Sequence, residues 1–126
     1  MKIIFVGMHN KPGLMPLCTS TKSGKLIKRI YNELPKEIGI LKTNLYDVDY
    51  YPIQLEKYNL ALDWHHRINL EFDDIIILLG AEVHKNFNNA LDNIIIKLAH
   101  PSSMWSHKDM DNYVLSAVAK IKKYCN

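Results

Sequence analysis

Asn93-Ile94-Ile95-Ile96-Lys97-Leu98-Ala99-His100-Pro101-Ser102-Ser103-Met104 is the stretch on which the reading of this chain turns. Asn93 to Ala99 is apolar and β-branched over the length of one strand. Ile94, Ile95, Ile96 and Leu98 give the pattern expected of a strand buried on both faces. A polar turn carrying a histidine follows without a gap. In an open α/β sheet, ligands bind beyond the carboxyl ends of the strands, so His100 stands where chemistry is commonly done. A proline-containing turn that merely ends a strand has the same composition. A second polar loop after the first strand, Gly7 to Gly24, weighs against that blander reading.

Working outward, Lys2 to Gly7 is β-branched, apolar and ended by glycine, which predicts a first strand. Met8 to Lys22 holds two prolines, a glycine and a Ser/Thr cluster, the makeup of a long functional loop. Thr21 or Ser23 caps a predicted helix to about Leu34, on which Leu26, Ile27, Ile30, Tyr31 and Leu34 recur at helical spacing. Pro35 stops it. Ile38 to Leu45 is a second strand, and Tyr46 to Pro52 a tyrosine-rich loop. A second helix is expected from Pro52 to about Phe72. Ile75-Ile76-Ile77-Leu78-Leu79-Gly80 is the clearest strand in the chain. Ala81 to Leu91 reads as a short helix with Val83, Phe87 and Leu91 inward, and Lys108 to Tyr124 as a closing helix after the fourth strand. The order β-α-β-α-β-α-β-α predicts an α/β fold: a three-layer α/β/α domain over residues 1–126 with one four-stranded parallel sheet.

Composition narrows the class. With 126 residues, 48% hydrophobic and 23% charged, the chain has the makeup of one ordinary globular domain with a real core. A formal charge of +3 allows contact with nucleic acid without the strongly basic footprint that would argue for it. Cys18 and Cys125 lie almost a chain length apart, which excludes a four-cysteine zinc or iron–sulfur site and fits reduced thiols. Met1 to Gly7 is too short for a signal peptide, and no apolar run nears the ~20 residues of a membrane span. A soluble, cytoplasmic, monomeric protein is expected.

The residues that follow the four strands are His9-Asn10, Asn44, Gly80-Ala81 and His100. Three of the four ends carry a side chain able to read or polarise a heterocycle. An asparagine amide offers both a donor and an acceptor, and a histidine can donate to an oxygen that gains charge in a transition state. Other patterns fail. Lys22-Ser23-Gly24-Lys25 is no P-loop, because Thr19 stands where the first glycine belongs and Leu26 where Ser or Thr should follow. His65-His66 lack metal-ligand spacing. Cys18 paired with His100 as nucleophile and base is a minor alternative.

The ordered set of strand ends resembles the uracil-DNA glycosylase superfamily. Gly7-Met8-His9-Asn10-Lys11-Pro12-Gly13, Pro16-Leu17 and Ser23-Gly24-Lys25-Leu26 look like its first motif region. Thr43-Asn44 resembles its strand-end asparagine, Ile76 to Gly80 its apolar strand ending in Leu-Gly, and His100-Pro101-Ser102 its second motif. The resemblance covers nearly the whole chain in the right order.

That resemblance implies a DNA glycosylase that needs no cofactor and no metal, acting on DNA that carries uracil or a related damaged base. Asn10 or His9 would position water or stabilise the sugar cation, with the register between them open. Asn44 would hydrogen-bond the flipped base, and His100 would donate to its oxygen as it leaves. Met104 falls at the place of the apolar wedge that replaces the flipped base, and Trp105 could stack on a neighbouring base. Ser23, Lys25, Ser102 and Ser103 would meet the flanking phosphates. The aromatic residue that usually follows the motif-one proline is Leu17 here, so Leu17 would line the base site and stacking on the base falls to Tyr46 or Tyr50. Two other functions fit the same residues: a base-binding module without chemistry, and an enzyme acting on free nucleosides or nucleotides.

Overall fold

The computed structural model describes residues 1–8, 15–46, 64–87 and 91–125. Within them lie β1 (Lys2–Gly7), α1 (Lys22–Asn32), β2 (Gly39–Asn44), α2 (Trp64–Arg67), β3 (Ile75–Leu79), α3 (Ala81–Asn86), β4 (Ile94–Leu98), a single 3-10 turn (Pro101–Ser103) and α4 (His107–Lys122). All four strands are parallel, in the order β2-β1-β3-β4. Gly7 pairs with Asn44 and Val6 with Leu78, so the first strand of the chain is central.

The period-2 alternation of the strands sorts the core into two halves, as a sheet covered on both faces requires. Ile3, Phe5, Ile75, Ile77, Leu79, Ile96 and Leu98 meet Leu26, Ile27 and Ile30 of α1 and Val114, Ala117 and Ile121 of α4. On the opposite face, Ile4, Val6, Ile76 and Leu78 meet Leu45, Tyr46, Trp64, Val83 and Phe87. Trp64 and Phe87 pack edge to face there, with ring centroids 5.1 Å apart. The three-layer expectation therefore holds. Thr21, rather than Ser23, caps α1: its hydroxyl accepts from Gly24 N at 3.0 Å.

Three expectations need correction. The fourth strand is an edge strand and only partly buried: Ile96 and Leu98 lie in the first core half and Ile95 packs against the second, whereas Lys97 is exposed and Ile94, on the face of Ile96 and Leu98, is 42% exposed. An edge strand has a neighbour on one side only, and a charge there discourages pairing with another chain. The second helix ends at Arg67 instead of near Phe72, which stands exposed in a turn. Residues 52–63, with Leu55, Tyr58 and Leu62, lie outside the described residues. The third helix stops at Asn86, because Phe87 takes an extended conformation that drops its ring into the core.

The turn after α2 has a clear cause. Asp74 is buried, and its carboxylate accepts from Lys2 N at 2.8 Å, Lys2 Nζ at 2.5 Å and Glu71 N at 2.8 Å. Asn93 adds to the same edge, donating to the carbonyls of Glu71 and Asp74 at 2.9 Å each. The amino-terminal edge of the sheet is thus a polar clamp that fixes where β1, β3 and β4 begin. Burial raises the Asp74 pKa, but the hydrogen bonds from Lys2 and Glu71 outweigh it and hold the carboxyl below its ordinary value. A depressed carboxyl stabilises the fold fully above the unfolded value near 4, and that contribution disappears as pH falls through the folded value. Asp74→Asn is expected to cost about 2 kcal/mol at pH 7. In urea titrations the difference from the parent should shrink as the pH is lowered below about 4. A difference that stays constant with pH would show that the charge contributes nothing.

Candidate functional site

Parallel strands all leave the sheet at one edge, and the strand order decides which residues become neighbours there. Across that edge stand Asn44 at the end of β2, Gly7 at the end of β1, Gly80 just past β3 and His100 two residues past β4. The two middle positions are glycines and the two outer ones are polar. Three inter-strand spacings put β2 and β4 roughly 14 Å apart.

Both polar side chains lean inward over the glycines. A Cβ added to Gly7 would lie 2.7 Å from Asn44 Oδ1 and 3.6 Å from Leu17 Cδ2. A Cβ added to Gly80 would lie 3.1 Å from His100 Cβ and 3.4 Å from its Cδ2. Gly80 also has φ +92°, a conformation that other residues rarely adopt. Both glycines are buried, and the room a side chain would need there is taken by the Asn44 amide with Leu17 on one side and by the His100 imidazole on the other. An amide and an imidazole thus close in over the ends of β1 and β3. Leu17 supplies an apolar wall beside Gly7, where the resemblance would place an aromatic ring.

The 3-10 turn after β4 sets the state of His100. Ser102 N donates to His100 Nδ1 at 3.1 Å, and Ser102 Oγ lies 2.7 Å from the same nitrogen. A backbone N–H can only donate, so in the neutral ring Nδ1 is bare and the proton sits on Nε2. Burial pushes the imidazole below its ordinary value of 6.5, which favours that neutral form. Among the described residues Nε2 has no hydrogen-bond partner. Pro101 is buried under the turn, and Ser103 Oγ donates to His100 O at 2.7 Å. His100 is thus a held, neutral donor at the rim.

Three supporting residues carry no signal in the sequence. Tyr113 on α4 donates to Ala99 O at 2.6 Å, pinning the residue before His100. Burial raises the Tyr113 phenol, so it stays protonated and able to donate. His84 Nε2 lies 3.0 Å from Leu78 O and 2.9 Å from Leu98 O, tying β3 to β4 just below the rim. Arg67 donates to Asn44 O at 3.0 Å and Leu45 O at 2.8 Å, holding the exit of β2. Their backbone partners are set by tertiary packing, and no local spacing announces them.

The remaining expected residues divide into three groups. Ser23 and Lys25 lie on the first turn of α1, which packs beside the Pro101–Ser103 turn, so these elements share the rim with the exposed Ser102 and Ser103. Met104 is half-buried and packs into the first core half, while Trp105 next to it is exposed. Tyr46 is enclosed in the opposite core half. His9, Asn10 and Tyr50 lie outside the described residues. Cys18 Sγ meets Ser20 Oγ at 3.2 Å and has no hydrogen bond to His100. The Ser20 hydroxyl and backbone, assisted by the Lys42 charge, outweigh burial and hold the thiol below its ordinary value.

Gly80→Ala should disturb both the backbone and His100. We expect a loss of about 1–3 kcal/mol in denaturant titrations. Lys85→Ala, at an exposed position on α3, should change stability by less than about 0.5 kcal/mol. Equal effects from the two substitutions would mean that the close approach to His100 has no energetic weight.

Compared with known proteins, the chain matches no family model and no curated relative.

Proposed function

We propose that the protein is a nucleobase glycosylase of the uracil-DNA glycosylase type, acting on uracil or a related damaged base turned out of DNA. The observation that carries this reading is the neutral, Nε2-protonated His100 across the ends of β1 and β3 from Asn44. In such a reaction the bond between the base nitrogen and C1′ breaks, and its electron pair leaves with the base. Negative charge then collects on a carbonyl oxygen of the base while the sugar becomes positive, and the proton lost by the water that adds to the sugar balances the base anion. His100 Nε2–H donates to that oxygen from a fixed position, the arrangement that stabilises a developing anion most effectively. Asn44 reads the edge of the base with one donor and one acceptor. Asn10 or His9, in the loop after β1, would place the water that adds to C1′. The products are the free base and an abasic sugar.

Flipping a base costs a few kcal/mol of unstacking. Met104, once turned out of the core half it packs against, would offset that cost by filling the gap, and Ser102, Ser103, Ser23 and Lys25 on the same rim would grip the flanking phosphates. A base-binding module without chemistry would use the same residues, and Leu17 in place of an aromatic residue favours it. The two readings part on whether a base is released.

The test uses labelled single strands and duplexes carrying uracil, hypoxanthine, xanthine or an oxidised pyrimidine, scored for alkali-labile sites. One lesion should be released, and His100→Ala should slow release about 10²- to 10³-fold. Asn44→Asp should alter which base is accepted. Because His100 acts while neutral, release should persist as pH rises from about 6.5 to about 8 and fall only on the acid side of the ordinary histidine value. Activity lost as pH rises through the sixes would mean that an imidazolium is required. No release from any substrate by folded protein would sink the catalytic reading.

A further inference from the structure

The largest apolar side chain left in solvent beside this rim is Trp105. It is 83% exposed, whereas Trp64, the chain's other tryptophan, is 1% exposed. Trp105 lies two residues past the 3-10 turn that His100 caps, and the ammonium of Lys22 sits 5.3 Å from its ring centroid. Neither the first turn of α1 nor the 3-10 turn contains an acidic residue; on the other side, the first turn of α4 carries Asp109. Lys22 therefore puts one positive charge against the ring, on the rim that also carries the exposed Ser102 and Ser103.

We propose that Trp105 and Lys22 form a stacking site for the nucleotide next to the target base, selective for an unpaired strand over a duplex. The ring offers an open π-face, and every nucleobase can stack on it. The cation over the ring marks where a phosphate belongs: an arriving base takes the place of the ammonium on the ring, and Lys22 turns to the phosphate of the same nucleotide. A base inside a duplex is already stacked on both sides and would have to give up one of those contacts. An unpaired base gives up little, so the site selects unpaired strands. The choice of DNA rests on the glycosylase reading; the stacking itself rests on the exposed ring and its cation.

Intrinsic fluorescence tests this directly, since Trp64 is buried and Trp105 reports alone on the surface. The parent protein is titrated with a short oligothymidine, which holds no base to be excised, and with the same strand annealed to oligodeoxyadenosine. The oligothymidine should quench the Trp105 emission, and Trp105→Phe, which leaves only Trp64, should show no quenching. Trp105→Ala should weaken binding roughly 5- to 150-fold. Lys22→Gln should lower the slope of log affinity against log salt by about 0.7, the share of one phosphate contact on a single strand. Trp105 is outside the core, so these variants keep the fold. Oligothymidine bound without quenching, affinity unchanged in Trp105→Ala, or equal quenching by the duplex would overturn the proposal. Base release is scored separately. Release without quenching would remove the stacking site and leave the glycosylase, whereas quenching without release from any lesion would do the reverse.

Discussion

Parallel pairing of β1 between β2 and β3 is the constraint from which the rest of the molecule follows. A parallel sheet cannot be closed by hairpins, so every connection must cross over, and the crossing helices must cover both faces. The same rule sends all four strands out along one edge. Asn44, Gly7, Gly80 and His100 become neighbours there although 93 residues of chain separate the first from the last. The opposite edge has no such freedom. Asp74 and Asn93 spend their hydrogen-bonding capacity on strand starts, so that edge is given over to holding the sheet together.

The rim is closely built. Glycines end β1 and follow β3, and each is required by a side chain packed over it. Its polar groups are held by residues outside the rim: Tyr113 and His84 support the approach to His100, and Arg67 fixes the exit of β2. The turn Pro101–Ser103 acts on His100 twice over. It occupies Nδ1, which settles the tautomer, and it helps to keep the ring from water, which favours the neutral form. The resulting donor needs no movement to meet a negative charge, and electrostatic stabilisation is most effective under that condition.

Strand content was readable in the sequence because central strands are long apolar runs: β1 and β3 are buried from end to end or nearly so. The same signal misled for β4. Ile94 and Ile95 look like core, and only the strand order reveals an edge, with Lys97 as the one local hint. Asn44 and His100 were legible because they stand at strand ends, and the extended backbone of His100 continues the inward alternation of Ile96 and Leu98. Tyr113, His84 and Arg67 were not, since each is defined by backbone carbonyls that only the folded sheet brings to it. The pair Gly7 and Gly80 lies between. Glycine after a strand is common, and its meaning here comes only from what leans over it.

The protonation state of His100 tests the account most directly. Nitrogen NMR of the imidazole at neutral pH would be recorded for the protein alone and bound to a single strand carrying an uncleavable 2′-fluorinated deoxyuridine. A neutral ring with Nδ1 bare and Nε2 protonated, whose Nε2–H signal shifts when the strand binds, is the predicted result. An imidazolium, the opposite tautomer, or a ring indifferent to the bound strand would contradict it.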